Sequence, residues 1–401
     1  MASTSRSVSA SNSFDRKAAV DRVLKLMEIP GKSCEEGRVV EFIRGELLTA
    51  GYQPDQITND EVHKESPAGG EVGNLILTLP GTLKAPRRLL MAHLDTVPLC
   101  VGSKPALKGG IVRSRDKKTA LGADDRSGAA VLLTAALEIA RQKLPHPPLT
   151  FFWPVQEEIG LYGARFVNLK KLGSPKLGFN WDGGSAATAC IGATGAYDLA
   201  IEVEGLASHA GVHPEAGISA IAIAALAIAD LQQNGWHGLI RKGTQSGTSN
   251  LGVIQGGDAT NVVTACVKLR GEVRSHDPKF RKRLVKEFQE AFERAVAGVK
   301  NSSGNTGKVR FTANLKYESF QLKETEACVS SALSAISAVG LKGETRISNG
   351  GLDANWLSAR GLPTVTLGSG QHDVHTVNET LQLDDYLNGC GIGLLLATGE
   401  A

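Results

Sequence analysis

Residues 89–98 read LLMAHLDTVP, an apolar run that ends on a histidine and an aspartate one residue apart. Leu89 to Ala92 have the character of a buried strand. Period-2 geometry then puts the side chains of His93 and Asp95 on the same side of the chain. A strand leaving a hydrophobic core with an imidazole and a carboxylate side by side needs a partner that offsets their burial.

The surroundings place that strand in an α/β layer. Helical spacing over 15–28 and again from Val39 to Leu47 precedes a first strand at 74–81. Strand 88–94, helix 126–141, strand 149–155, a helix near 161–170 and strand 177–181 follow in alternation. Strand–helix alternation predicts a mostly parallel sheet flanked by helices. From about 193 the pattern changes to strand 197–205, helix 217–232, strands 247–256 and 262–275, helix 278–299 and strand 308–317. That β-α-β-β-α-β order is the split-βαβ, ferredoxin-like unit. Helix 324–340, strand 363–368 and helix 381–397 return to α/β character. The expected organisation is therefore an α/β domain over 15–192 and 318–401, an inserted α+β domain over 193–317, and a disordered leader over 1–14. At 401 residues, two domains are also what chain length predicts.

In doubly wound sheets ligands gather at the carboxyl ends of the strands. Read in order, those ends supply His93 and Asp95, then Asp124 and Asp125 before helix 126–141, then Glu157 and Glu158, then Asp182, and last His372, Asp373 and His375. Each has a bland explanation when taken singly. Asp125 or Ser127 suits a helix N-cap, and paired glutamates suit a solvated turn. Convergence of so many acids at one sheet edge has no such explanation, because like charges crowded there raise one another's pKa. Two divalent cations against the carboxylates of Asp124, Glu158 and Asp182, with neutral His93 and His375, leave about +1, which one bridging hydroxide cancels. On this reading His93 is a metal ligand and Asp95 holds its other ring N–H.

Composition narrows the classes. A net charge of +3 with scattered Lys and Arg gives no polyanion-binding surface, so no nucleic-acid partner is expected. The longest apolar run, ISAIAIAALAIA at 218–229, falls short of the roughly 18 residues of a membrane span, so no membrane partner is expected either. The N-terminus lacks the apolar stretch of a secretory signal, and the six cysteines are scattered singly, which suits a reducing cytoplasm. There is no G-x-S-x-G elbow for a serine nucleophile, no P-loop, and no post-strand G-x-G-x-x-G.

The segments HLDT, LGADDRSGAA, EEIG, WDGG, SHAGVHPEAGISA, NVVTACVKLRGEVRS and GGLDANWLSARGLPTVTLGSGQHDVHTVNE together resemble the binuclear zinc exopeptidases related to peptidase T. That clan also holds aminoacylases and glutamate carboxypeptidases. The resemblance runs from about residue 15 to 398. It implies that His93 and Asp182 hold one zinc, that Glu158 and His375 hold the other, and that Asp124 bridges both, with cobalt or manganese as substitutes. It further implies Glu157 as general base, Asp95 as the residue orienting His93, and a cis bond at Asp124–Asp125. The inserted lid commonly dimerises in the family. His209 would then reach a substrate oxygen, within the chain or across the dimer, and Asn261 and Arg274 match positions that bind the substrate backbone and carboxylate. HDVH offers two histidines; the family motif aligns His375 rather than His372. His213 matches no required position.

The implied activity is hydrolysis of the N-terminal peptide bond of short peptides, a tripeptide aminopeptidase. A zinc-dependent N-acyl amino acid deacylase or carboxypeptidase of the same clan is the alternative, since all share the metal site. A non-catalytic binding protein on this fold is a third reading. It is disfavoured because all five ligand positions and Glu157 are present.

Overall fold

The computed structural model describes residues 13–400, so the leader expected over 1–14 lies almost wholly outside the described residues. The chain forms two compact units. One runs to Gly192 and resumes over Gln321–Ser348 and from Leu352; the other comprises Ala193–Phe320 with Asn349–Gly351.

The first unit is built on a sheet with the strand order Ile57–Asn59, Leu75–Leu79, Leu149–Trp153, Arg88–Met91, Leu177–Trp181, Thr364–Leu367, Thr188–Ala193. The four strands Leu149–Trp153, Arg88–Met91, Leu177–Trp181 and Thr364–Leu367 are mutually parallel. Their flanking neighbours pair antiparallel. Side chains alternate between two cores, as the pleat requires. Leu90, Phe151, Trp153 and Phe179 join the larger core with helices Arg16–Glu28, Ala123–Gln142 and Leu383–Thr398. Leu89, Met91 and Phe152 face a smaller cluster with Val167, Leu172, Leu357 and Leu362. Burial on both faces explains why these strands read as continuous apolar runs.

Several features were not expected from the sequence, among them the strands Ile57–Asn59, Thr188–Ala193, Gly238–Lys242 and Glu344–Ser348. A separate antiparallel sheet joins Gln371–His372, Thr380–Gln382, Ile111–Ser114 and Pro105–Lys108. Strands of two to four residues with mixed polarity carry too little periodicity to be read. The helix expected over 161–170 is only Tyr162–Phe166.

The second unit is a five-stranded antiparallel sheet ordered Gly238–Lys242, Gln245–Gly256, Cys266–Ser275, Gly195–Glu204, Lys308–Tyr317. Without its first edge strand this is the ferredoxin-like arrangement. Helices Ala220–Gln233 and Pro278–Gly298 cover one face and supply Ile223, Ala227, Phe280, Leu284, Phe288 and Phe292 to its core. Each helix begins where its sequence says it should. Ser219 accepts the N–H of Ala222 at 3.1 Å, and Asp277 accepts that of Lys279 at 2.8 Å ahead of Pro278 at the first helical position. No helix among the described residues is long and apolar enough to cross a membrane.

Gly178 lets the strands Leu177–Trp181 and Thr364–Leu367 lie close, because a Cβ there would sit 2.2 Å from Oγ1 of Thr364. Gly178→Val is expected to cost about 1–3 kcal/mol of stability by overpacking, read as a lower urea midpoint at unchanged slope.

Candidate active site

The parallel strands end side by side, and the segments leaving their carboxyl ends carry the acids and histidines. His93 and Asp95 follow Arg88–Met91, Glu157 and Glu158 follow Leu149–Trp153, Asp182 follows Leu177–Trp181, and His375 follows Thr364–Leu367. Asp124 and Asp125 enter from the head of helix Ala123–Gln142, behind Gly122, whose φ of 81° turns the chain inward. The Asp124–Asp125 peptide is cis.

Asp124 is the centre of the cluster. Its Oδ1 lies 3.1 Å from Nε2 of His93 and its Oδ2 3.1 Å from Nε2 of His375. The same nitrogen of His375 is 2.9 Å from Oε2 of Glu158. Donor atoms of His93, Asp124 and Glu158 all fall within 4.8 Å of one another. Asp182 receives an N–H from Gln371 at 3.1 Å. His372 lies over Gly184, so of the two histidines in HDVH it is His375 that reaches the acids.

Backbone clamps hold these side chains in place. Asp95 faces Nδ1 of His93 at 3.4 Å, and its backbone oxygen lies 3.1 Å from the same nitrogen. Its carboxylate also accepts the N–H groups of Glu157 at 2.9 Å and Glu158 at 3.2 Å, and the Ser33 hydroxyl at 2.6 Å. One aspartate thus fixes both the histidine and the glutamate pair. Asp125 accepts the N–H of His93 and that of Gly128, each at 3.1 Å, and so caps the helix while holding the strand end. Glu36 accepts the N–H of Gln156 at 3.1 Å. Gln156 and His375 both have left-handed backbone, with φ of 58° and 64°, which residues other than glycine hold only where their surroundings fix it.

Four residues of this frame were not singled out from sequence: Glu36, Arg126, Asp353 and Glu379. Glu379 accepts three backbone N–H groups, from Leu121 and Gly122 at 2.8 Å and from Asp124 at 3.0 Å. These partners lie some 255 residues away in sequence, beyond any local pattern. Arg126 is buried and donates to the carbonyls of Leu26 and Gly31, at 3.3 and 3.0 Å. The one available signal was its place inside ADDRSG, next to the acids.

The electrostatics are those of a site built for positive charge. Burial pushes Glu157 well above the ordinary carboxylate range, with Asp182, Asp353 and Glu158 adding to the rise and His93 opposing it. Burial, with Asp124 and Glu158 nearby, lifts Asp182 to about 7. Asp353 rises to about 8, chiefly through burial. Asp124 is buried too, yet hydrogen bonds from His375 and His93 hold it below the usual range. Burial lowers His93, but Asp124 and Asp95 outweigh it and keep the imidazole protonated well above its normal pKa. His375 is raised to about 10 by its hydrogen bonds to Asp124 and Glu158.

The donor set fits divalent metal. The two imidazoles stand one on each side of the Asp124 carboxylate, where the acids favour positive charge. Both carboxylate oxygens of buried Asp353 have no hydrogen-bond partner, so a nearby cation would favour its charged form. Imidazole and carboxylate are ligands that zinc accepts.

In the inserted unit, Ala210 donates its N–H to the Asn261 carbonyl and Val263 donates to that of Ser208, each at 2.9 Å. His209, exposed and bridged to Val262, therefore shares one loop surface with Asn261. Arg274 is engaged: its guanidinium meets both oxygens of Glu272, at 2.8 and 2.9 Å. His213 sits at the surface, 3.5 Å from Glu215.

Acids and imidazoles gathered at the open edge of a parallel sheet, in a chain interrupted by an α+β insert, define a hydrolase of the peptidase class. The family model described as peptidase family M28 matches residues 74–200, and the one described as a peptidase dimerisation domain matches residues 191–299. A tripeptidase from Staphylococcus aureus is similar at 30% identity with a TM-score of 0.85, covering 96% of this chain and 98% of that one. The aminopeptidase PepT from Bacillus cereus shows 28% identity and a TM-score of 0.82, with the same coverage, 96% and 98%. Peptidase T of Limosilactobacillus fermentum is 27% identical over 89% of this chain and 91% of its own length. The chain belongs to the M20/M28-type peptidases related to peptidase T.

Glu379→Gln turns an amide N–H toward the backbone donors that the carboxylate accepts. Zinc affinity, titrated calorimetrically on metal-stripped protein, is expected to fall about 10- to 100-fold with the circular dichroism spectrum retained. Unaltered affinity would remove Glu379 from any role in presenting Asp124.

Proposed function

We propose that this peptidase is a metalloenzyme that removes the N-terminal residue of short peptides, tripeptides foremost. The observation that carries the reading is Asp124, whose two oxygens each face a different histidine within 3.1 Å while Glu157 stands beside the cluster with no hydrogen bond to its carboxylate among the described residues. Near-full-length likeness to a tripeptidase and to an aminopeptidase supports the substrate class.

In this reading His93 and Asp182 would hold one zinc and Glu158 and His375 a second, with Asp124 shared between them, and cobalt or manganese could substitute. Divalent metal held by these residues would supply Lewis acidity toward the scissile carbonyl and toward water near neutral pH. Glu157 takes the proton from water and passes it to the leaving amine. Its raised affinity for protons suits both halves of that transfer. Asp95 keeps Glu157 and Glu158 in separate jobs by holding both backbone N–H groups. His209 would stabilise the developing oxyanion, worth about 3–4 kcal/mol. Asn261 would bind the substrate backbone, and Arg274 a substrate carboxylate once Glu272 releases it.

The inserted unit serves as a homodimer surface on the same reading. Helix Ala220–Gln233 turns Ile221 and Leu226 outward, 48% and 53% exposed, beside exposed Ala225 and Ala229. An apolar stripe of this kind suits a second copy of the chain. All six cysteines are free, in keeping with a reducing cytoplasm.

A panel of free tripeptides, dipeptides and N-acyl amino acids, assayed with zinc, tests the substrate class; preference for N-acyl amino acids would make the enzyme a deacylase. Chelation should abolish turnover and zinc should restore it. Glu157→Gln is expected to retain zinc while kcat falls by about 10²–10⁴. Leu226→Asp is expected to convert a dimer to monomer in light scattering at matched concentration.

A further inference from the structure

Glu36 stands at the head of helix Gly37–Thr49, yet its side chain caps nothing there. The N–H of Gly37 goes instead to Glu71, at 3.2 Å. Glu36 is fully buried, and its Oε1 accepts two backbone N–H groups, that of Cys34 at 3.0 Å and that of Gln156 at 3.1 Å. A carboxylate with neither water nor a helix end to serve is thus committed to the residue that precedes Glu157.

Gln156 is also buried, and its φ is 58°. That angle is a rotation about the N–Cα bond, with the N–H on one side of the bond and the side chain on the other. Both sides are held. Glu36 takes the N–H, while the Ser66 hydroxyl donates to Oε1 of Gln156 and Nε2 donates to the Gly69 carbonyl, each at 2.5 Å. A residue with a Cβ leaves the left-handed region unless such contacts keep it there. Beyond Gln156 the chain closes into a turn. Gly160 and Leu161 donate to the Glu157 carbonyl at 3.0 and 2.8 Å, and Tyr162 donates to that of Gln156 at 3.1 Å. Residues 156–162 therefore form one hydrogen-bonded piece, held by Asp95 at Glu157 and Glu158 and by the φ of Gln156 at its root.

We infer that Glu36 is a positioning residue for hydrolysis: by holding the Gln156 N–H it fixes the torsion that aims Glu157, while Ser66 and Gly69 grip the other side of the same bond. The inference rests on the reading of Glu157 as general base. A base must stand within hydrogen-bond reach of the proton it takes, and a shift of about 1 Å is enough to slow turnover severely. Glu36 does this by accepting a hydrogen bond rather than by its charge. Burial, with Asp95 adding to it, raises Glu36 to about 8, so an uncharged amide of the same shape is a close substitute.

Zinc-loaded wild type, Glu36→Met, Glu36→Gln, Gln156→Ala and the double variant Glu36→Met/Gln156→Ala are assayed on trialanine across pH. Met matches Glu in length and offers no oxygen, whereas Gln can place its carbonyl where Oε1 stands. Glu36→Met and Gln156→Ala are each expected to lower kcat about 10- to 100-fold, with KM and zinc content held. Glu36→Gln restores most of kcat and keeps the wild-type pH profile. Because both anchors grip one bond, the double variant is no slower than the slower single variant. In metal-free protein, deuterium uptake over residues 154–160 rises in Glu36→Met and Gln156→Ala and not in Glu36→Gln.

Full kcat in Glu36→Met, a loss carried by KM, or losses that multiply in the double variant overturn the positioning role, while trialanine hydrolysis by wild type leaves the peptidase reading standing. Glu36→Gln as slow as Glu36→Met makes the charge of Glu36 the agent and overturns it too. Wild type that cleaves no peptide overturns both. Should the melting curve show Glu36→Met unfolded, Gln156→Ala and Glu36→Gln decide by the same criteria.

Discussion

Negative charge buried at the carboxyl edge of one sheet is the constraint on which the rest of this structure depends. Asp95, Asp124, Asp125 and Asp353 are all buried, with Glu157, Glu158 and Asp182 close by. The sheet brings them together because its four parallel strands all point the same way, and parallel strands expose their ends at one edge. Burial and mutual repulsion lift most of these acids, whereas Asp124 is held low by the two imidazoles it touches and Asp95 by His93. Positive charge is therefore favoured beside Asp124, where His93 and Glu158 bring further donor atoms within reach.

Precision comes from backbone contacts rather than from the acids themselves. Asp95 and Glu379 each act on backbone N–H groups, and Glu36 does the same at Gln156. A carboxylate that accepts two or three amides fixes a loop more firmly than a single side-chain contact can, because each added bond removes a further direction of slip. The cluster is consequently built before anything binds, which is how a hydrolytic site avoids reorganising during reaction. Buried Arg126 places a positive charge near these acids while it donates to the carbonyls of Leu26 and Gly31.

The two units divide the work by the character of their sheets. The first covers both faces with helices and reserves its edge for chemistry. The second covers one face of an antiparallel sheet and leaves Glu202, Lys268, Arg270 and Arg310 on the other. Its helix Ala220–Gln233 turns Ile221 and Leu226 outward, an apolar stripe that water gives no reason to keep.

Much of this was legible in the chain. LLMAHLDTVP identifies a buried strand with a functional end, because only a double-sided core tolerates such a run and only a partner tolerates its histidine. The same logic, applied to each strand end, picks out Asp124, Glu158, Asp182 and the HDVH segment, and the strand–helix rhythm gives the parallel sheet. What sequence left open was decided by approach in space. His375 rather than His372 meets the acids because a left-handed residue redirects the chain after the short strand Gln371–His372. Asp95 gained its second task from loop closure that no local spacing encodes, whereas Arg274 meets Glu272 two residues earlier on the same strand. Glu379 holds the loop of Asp124 from the far end of the chain. Residue types and periodicity are local properties and survive in the one-dimensional string; which carboxylate accepts which N–H is a matter of a few tenths of an ångström, and only the packed core sets distances on that scale.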